Sequence, residues 1–175
     1  MKKRIMLALC LVLAVTGIYA ASSLDDYDLT LNAASNNISF DFDSKGGNMK
    51  VNALIEAQFN LNFRGEHGFF TGLTFDAEKT SMGISGGYSY KHMLRNDIDM
   101  VVNAGLELGF GFRKGAPGTM ALLADLNFNY NLSRLMYLQF GLGFRGEFFS
   151  FSADRTEGYF KSELMLPTFG FGFRF

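Results

Sequence analysis

Residues 49 to 63 read MKVNALIEAQFNLNF. Every odd position is apolar (Met49, Val51, Ala53, Ile55, Ala57, Phe59, Leu61, Phe63), and between them stand Lys50, Asn52, Leu54, Glu56, Gln58, Asn60 and Asn62. A period of two puts alternate side chains on opposite faces of an extended chain, so this stretch is a two-faced β-strand. Residues 98 to 112, IDMVVNAGLELGFGF, repeat the pattern in the even phase, with Val101 as the exception. Working outward from these two, similar runs occupy about 67–77, 81–93, 118–131, 135–150 and 161–175, which makes seven strands after residue 48. An eighth comes from residues 27–43, where Tyr27, Leu29, Leu31 and Ala33 alternate in one phase and Ile38, Phe40 and Phe42 in the other. A β-bulge within Ala34–Asn37 reconciles the two halves as one strand, because an extra residue resets which side chains share a face. The other reading starts the strand near Asn37 and leaves the preceding segment as a separate plug or edge piece.

The connections fall into two alternating sets. Arg64–Glu66, Arg95–Asp97 and Ser133–Arg134 are tight; Ser44–Asn48, Glu78–Thr80, Lys114–Gly118 and Ser152–Tyr159 are longer. Short turns at one rim and longer loops at the other are expected of an up-and-down barrel. The predicted fold is therefore all-β, an eight-stranded antiparallel up-and-down transmembrane β-barrel.

Composition agrees. The chain has 175 residues, 48% hydrophobic and 15% aromatic, with 20 Gly, 20 Phe, two Pro and one Cys. So much Phe with only 19% charged residues excludes disorder. Sixteen Lys plus Arg against 17 Asp plus Glu leave no basic excess to neutralise phosphates, so no nucleic-acid partner is expected.

Residues 1–20 are set apart from the fold. Lys2, Lys3 and Arg4 precede an apolar run from Ile5 to Val15 that continues to Ala20, too short to span a bilayer as a helix. We expect a secretory signal peptide cleaved after Ala20, leaving a barrel of residues 21–175. Cys10 lies inside the apolar run behind the large Leu9, which does not suit a lipoprotein signal. The exported chain then has no cysteine and must be held by its own packing and hydrogen bonds.

Volume decides which face is wet. Eight strands enclose a space that side chains just fill, and the apolar face carries more large residues than such a space accepts. The opposite face offers Gly72, Gly83, Gly87, Gly105, Gly109, Gly111, Gly141, Gly143, Gly170 and Gly172 among Asn, Ser and Asp, as a cramped hydrated lumen requires. The Phe face is therefore expected to meet lipid. Closing the sheet pairs every backbone amide without water, one of two ways of crossing a bilayer.

At the C-terminus, Gly170-Phe171-Gly172-Phe173-Arg174-Phe175 resembles the last-strand signal by which Gram-negative outer membrane barrels reach their barrel-assembly machinery. Gly170, Phe173 and Phe175 match it; Phe169, where a polar residue is usual, and Pro167, which lacks a ladder donor, depart from it. With the eight strands, the chain resembles the small outer membrane barrels of the OmpA transmembrane-domain, OmpX and opacity type. The resemblance implies a bacterial outer membrane location after Sec-type export, outer membrane lipids and the assembly machinery as partners, and a monomer.

The expected lumen charge network comprises Glu56, Glu107, Asp125 and Arg145 near mid-barrel, Glu147 just above and Arg174 near the bottom, because charges in so narrow a space must be paired or hydrated. Its expected role is to plug the barrel, with an ion-conducting path as the alternative. Phe63, Tyr90, Tyr130 and Phe175 at one rim, and Phe42, Phe112 and Phe148 at the other, are expected to form interfacial aromatic girdles. His67 and His92 have no metal-ligand companions at strand spacing and are expected at a rim; no metal or cofactor is anticipated. Gly109, Gly111 and Gly115 precede no helix and make no phosphate loop. Some barrels of this size are lipid A deacylases or acyltransferases, and the deacylase pairs His with Ser two residues on; here Phe69 follows His67 and Leu94 follows His92. An enzyme is accordingly not expected. Three roles are carried in this order: a structural or surface-interaction barrel, a small-solute or hydrophobic-compound channel of the OmpW kind, and an outer membrane lipid-modifying enzyme.

The assignment of faces is directly testable. Leu106→Arg or Phe140→Arg, on the lipid face, is expected to cost about 2–4 kcal/mol near the bilayer midplane and to impair assembly; insertion equal to the wild type in a heat-modifiability gel would mean the faces are inverted.

Overall fold

The structure, a computed structural model, describes residues 27–36, 39–43, 46–50, 54–63, 66–77, 80–113, 115–152 and 156–174. The expected signal peptide at 1–20 and the terminal Phe175 lie outside these residues. Ten strands follow one another: β1 Tyr27–Asn36, β2 Ser39–Asp43, β3 Gly46–Lys50, β4 Leu54–Phe63, β5 His67–Asp76, β6 Ser81–Arg95, β7 Ile98–Gly111, β8 Gly118–Asn131, β9 Met136–Phe151 and β10 Thr156–Arg174. All pairings are antiparallel, and from β4 to β10 each strand pairs with the next in sequence.

β1 supplies the closure. One edge pairs with β4 from Tyr27↔Phe63 to Asn36↔Leu54, and the other pairs with β10 from Thr30↔Arg174 to Asn36↔Thr168. β2 continues β1 along β10 without a change of register, since Asn36↔Thr168 leads on to Ser39↔Met165. β1 with β2, and β3 with β4, are thus the two halves of the first and second of eight up-and-down staves. Above the Leu54↔Asp76 pair the ring is open, because β3 pairs with β2 and with no other strand among the described residues.

The register does not show the extra residue expected within Ala34–Asn37, of which residue 37 lies outside the described residues; the one-residue offset there leaves the extra position on the second stave. Asn36 faces Leu54 but Ser39 faces Lys50, three positions on the first stave against four on the second. A matching irregularity lies across the seam: Met165 faces Gly143 and Thr168 faces Gly141, so β10 holds one more residue than β9 there. Pro167 sits in that bulge, where a missing N–H leaves no ladder bond unmade.

The ends differ from expectation. Asp43 pairs with Gly46, so the first loop is shorter than Ser44–Asn48, and the eighth strand starts at Thr156, with Thr156 facing Phe151. The polar residues Thr156–Gly158 therefore extend the wall. Their composition suggested a loop, but pairing with β9 satisfies their amides above the apolar band. Thr80, with φ 52°, makes the turn into β6, and Gly115, with φ 79°, the connection into β8.

The apolar phase faces out. Ile55, Phe69, Leu73, Ile84, Leu106, Leu122, Leu138, Phe140 and Phe171 are exposed, whereas Gln58, Asn60, Asn62, Ser89, Asn103, Asn127 and Gln139 are buried. This inverts the order of a soluble core, as a barrel wall solvated by hydrocarbon requires. Small residues make the interior possible. Tyr137, 2% exposed, lies over Gly172 so closely that a Cβ there would fall 2.1 Å from the ring's Cζ. Gly172→Val is expected to cost about 1–3 kcal/mol through overpacking, read as a lower urea midpoint of the refolded protein; an unchanged midpoint would show that the ring is not seated there.

Candidate functional site

The inward phase of β4–β10 builds the lumen in layers. At the short-turn end Asp99, 1% exposed, receives Arg174 Nη2, with Lys91 Nζ 3.7 Å away and Asn131 Nδ2 donating at 3.3 Å. The Arg174 guanidinium also lies 6.0 Å from the centre of the Tyr137 ring. Next come Phe70 and Val101, 3% and 5% exposed. Above them is an uncharged amide layer, in which Asn103 Nδ2 donates to Gln58 Oε1 at 3.1 Å and Asn60 Nδ2 to the same oxygen at 3.5 Å.

The loop end is acidic and centred on Arg145. Its Nε donates to Glu107 Oε1 at 2.7 Å and its Nη1 to Glu147 Oε1 at 2.5 Å, while Glu163 Oε2 stands 4.0 Å away. The two carboxylates are held in turn, Glu107 by Thr74 Oγ1 at 2.8 Å and Glu147 by Tyr159 Oη at 2.7 Å. Gly83 makes room, for a Cβ there would come within 2.6 Å of Glu107 Cδ. Beside this network a cavity of about 240 Å³ is lined by Glu56, Asp76, Glu107, Asp125, Arg145 and Glu147 with the apolar Leu54, Leu123 and Met165. Among the described residues no three acidic or histidine side chains converge as a metal site would require.

The six charges read from the sequence therefore divide. Glu56, Glu107, Asp125, Arg145 and Glu147 share the upper cavity. Arg174 belongs to a separate cluster with Asp99, eight positions below Glu107 on β7, or roughly 26 Å at about 3.3 Å per residue. Lys91, Asp99, Glu163 and Tyr159 were not singled out. Asp99 and Lys91 occupy inward positions that the alternation alone marks. Glu163 does not: it shares the odd parity of the outward Phe169, Phe171 and Phe173, and only the bulge at Pro167 turns it inward against Arg145.

Of the girdle residues, Tyr130 and Phe112 are exposed at 50% and 57%, Phe63 at 38%, and Tyr90 is half-buried. Phe148 is half-buried at a second bulge, where Met120 faces Phe149 and Ala121 faces Glu147, and it packs edge-on against the more exposed Phe149. Phe42 stands in β2 opposite Ser162 and Gly47. Gly170 and Phe173 face Gln139 and Met136 on β9.

No family model and no curated protein matches the sequence. Solved structures do match the fold. Neisserial surface protein A superposes with a TM-score of 0.57 at 12% identity, over 85% of this chain and 97% of that one. The N-terminal β-barrel domain of Pseudomonas aeruginosa OprF gives the same values. The chain has the fold of the small eight-stranded outer membrane barrels. At 12% identity the likeness is one of fold, so the chemistry of this barrel's lumen rests on its own residues.

In that lumen the Arg145 network makes an asymmetric prediction. Arg145→Met leaves two buried carboxylates without their cation and is expected to destabilise the barrel by about 3–5 kcal/mol. Adding Glu107→Gln is expected to recover part of the loss, because neutralising a partner removes an uncompensated charge. Equal urea stabilities of the wild type and the single variant would show that water, rather than Arg145, solvates Glu107 and Glu147.

Proposed function

We propose that this protein is a barrel of the bacterial outer membrane with a structural or surface-interaction role in the envelope, and that its lumen does not conduct. In this reading the leader directs Sec-type export and is removed, Gly170, Phe173 and Phe175 present the last strand to the barrel-assembly machinery, and the barrel works as a non-enzymatic monomer among outer membrane lipids.

The observation that carries the non-conducting reading is the filled lower half of the lumen. Phe70 and Val101 are 5% exposed or less and stand between the upper acidic cavity and the Asp99 cluster, and Tyr137, 2% exposed, lies beside Arg174 at the short-turn end. In a ring of eight strands inward side chains of this size fill the interior, which leaves an ion no second path around them. An ion leaving the acidic cavity would shed its hydration shell against an aromatic layer, a step that low-dielectric surroundings oppose. The Arg174–Asp99 contact closes the short-turn end with a charge pair rather than a vestibule. The cavity is thus a recess of the loop-side surface.

The test is ion and solute flux through liposomes carrying the refolded protein, with insertion verified in the same vesicles. Flux equal to protein-free vesicles is expected. Flux above that background would overturn the sealed reading and favour a small-solute channel, and Tyr137→Ala would then be expected to raise it further.

A further inference from the structure

Along the outward positions of β4–β9 the side chains are uncharged except in one place. His67 at the start of β5, His92 near the end of β6 and Arg95 at its last residue are the basic groups on that face, all at the short-turn rim. Chance scatter around the barrel would separate them. The register gathers them instead: His67 faces Tyr90, His92 is two residues further along the same outward row of β6, and the irregularity between Met93 and Arg95 sets Arg95 opposite the outward Ile98.

The rings form a continuous strip. Tyr90 lies between the two imidazoles, 5.2 Å from His67 and stacked on His92 at 6.3 Å with 10° between planes. Tyr88, half exposed, bonds through its hydroxyl to His67 Nδ1. With Tyr88 donating, the His67 ring proton resides on Nε2, which makes that atom a donor. The Arg95 side chain is 74% exposed, with Asp97 3.5 Å away, and Glu66 stands in the adjoining turn. The strip begins where Phe69 faces Tyr88 and continues one step beyond to His67 and Tyr90, at the level where hydrocarbon gives way to headgroups.

We propose that this strip is a binding site for the phosphodiester of a phospholipid in the leaflet at the short-turn rim. Imidazole N–H, phenol O–H and guanidinium groups are donors to phosphate oxygens, and Arg95 adds a fixed positive charge. The Tyr88 and Tyr90 rings meanwhile pack against the acyl-chain origin, the amphipathic use that tyrosine finds at this depth. A rim of interfacial aromatics alone needs neither histidine nor the Tyr88–His67 bond. The site holds one lipid in place against β5 and β6 and thereby sets the depth of the barrel on that side. The proposal rests on the outward face meeting lipid and is independent of whether the lumen conducts.

The chain has two histidines, so its ring nitrogens give a two-residue spectrum. The full chain, labelled with 15N-histidine, is inserted into phosphatidylethanolamine–phosphatidylglycerol vesicles in phosphate-free buffer, and dephasing of the imidazole nitrogens by lipid 31P is measured. Dephasing at both histidines is expected, with His67→Gln and His92→Gln assigning the signals. In parallel, native mass spectrometry of the detergent-extracted protein is expected to show one retained phospholipid. A His67→Gln/His92→Gln/Arg95→Gln variant is expected to retain it about tenfold less, as the loss of charge-assisted hydrogen bonds implies, and Tyr130→Phe, at the same rim on β8, to leave it unchanged. Absence of 31P contact in vesicles where insertion is verified, or equal retention by wild type and triple variant, would overturn the site and leave an ordinary aromatic girdle.

Discussion

The pairing of β1 on both of its edges is the constraint on which the rest depends. Inside hydrocarbon an unpaired N–H or C=O costs several kcal/mol, so a sheet survives there only if its first strand also finds its last. β1 does this by meeting β4 along ten positions and β10 along seven. Once the ring is closed at that level, every strand has one face toward the lumen and one toward lipid, and the alternation of each strand has to agree with its neighbours around the circle. The open upper seam beside β3 lies past the Leu54↔Asp76 pair, toward the loop rim, where water can serve the free edge.

Closure also explains the bulges. A ring of eight strands leaves a lumen so narrow that large side chains enter it only over glycine, as Tyr137 does over Gly172. The upper end instead accommodates the long side chains of Arg145, Glu107, Glu147 and Glu163. The extra residues near Pro167, near Tyr159–Phe160 and at Phe148 all fall in or beside β9 and β10, around this network. Each resets the alternation locally, and the resets bring Glu163 inward toward Arg145 while keeping Phe149 and Leu164 on the outward phase. Pro167, an awkward residue in a continuous ladder, is at home where the ladder skips a position.

The electrostatics follow from the same narrowness. The lumen separates its charges into an acidic group around Arg145 and a compact group around Asp99, with amides and aromatics between. Within each group the carboxylates that hold the cation are further tied by a hydroxyl or amide, Glu107 by Thr74 and Glu147 by Tyr159 above, Asp99 by Asn131 below. The charges thus serve as internal braces between β7, β9 and β10. A buried pair of this sort contributes little over apolar packing, but its disruption is costly, and it fixes which strands face each other.

The sequence by itself determined the number of staves, their direction and which face meets lipid, because those follow from a period of two, from turn-forming clusters and from the volume that eight strands enclose. It also determined that Glu107 and Arg145 point inward. Tertiary structure decided what repeats of two residues cannot encode: where the alternation is reset, and which inward residues come within reach of one another. Glu163 was hidden by its odd parity until the bulge at Pro167 turned it, Tyr159 was hidden in a polar stretch until the irregularity after Gly158 brought its hydroxyl to Glu147, and Arg174 found Asp99 rather than the upper network. Strand tilt and bulges displace heights by a residue or more per strand, and a contact of about 3 Å is finer than that displacement. Only the closed register resolves it.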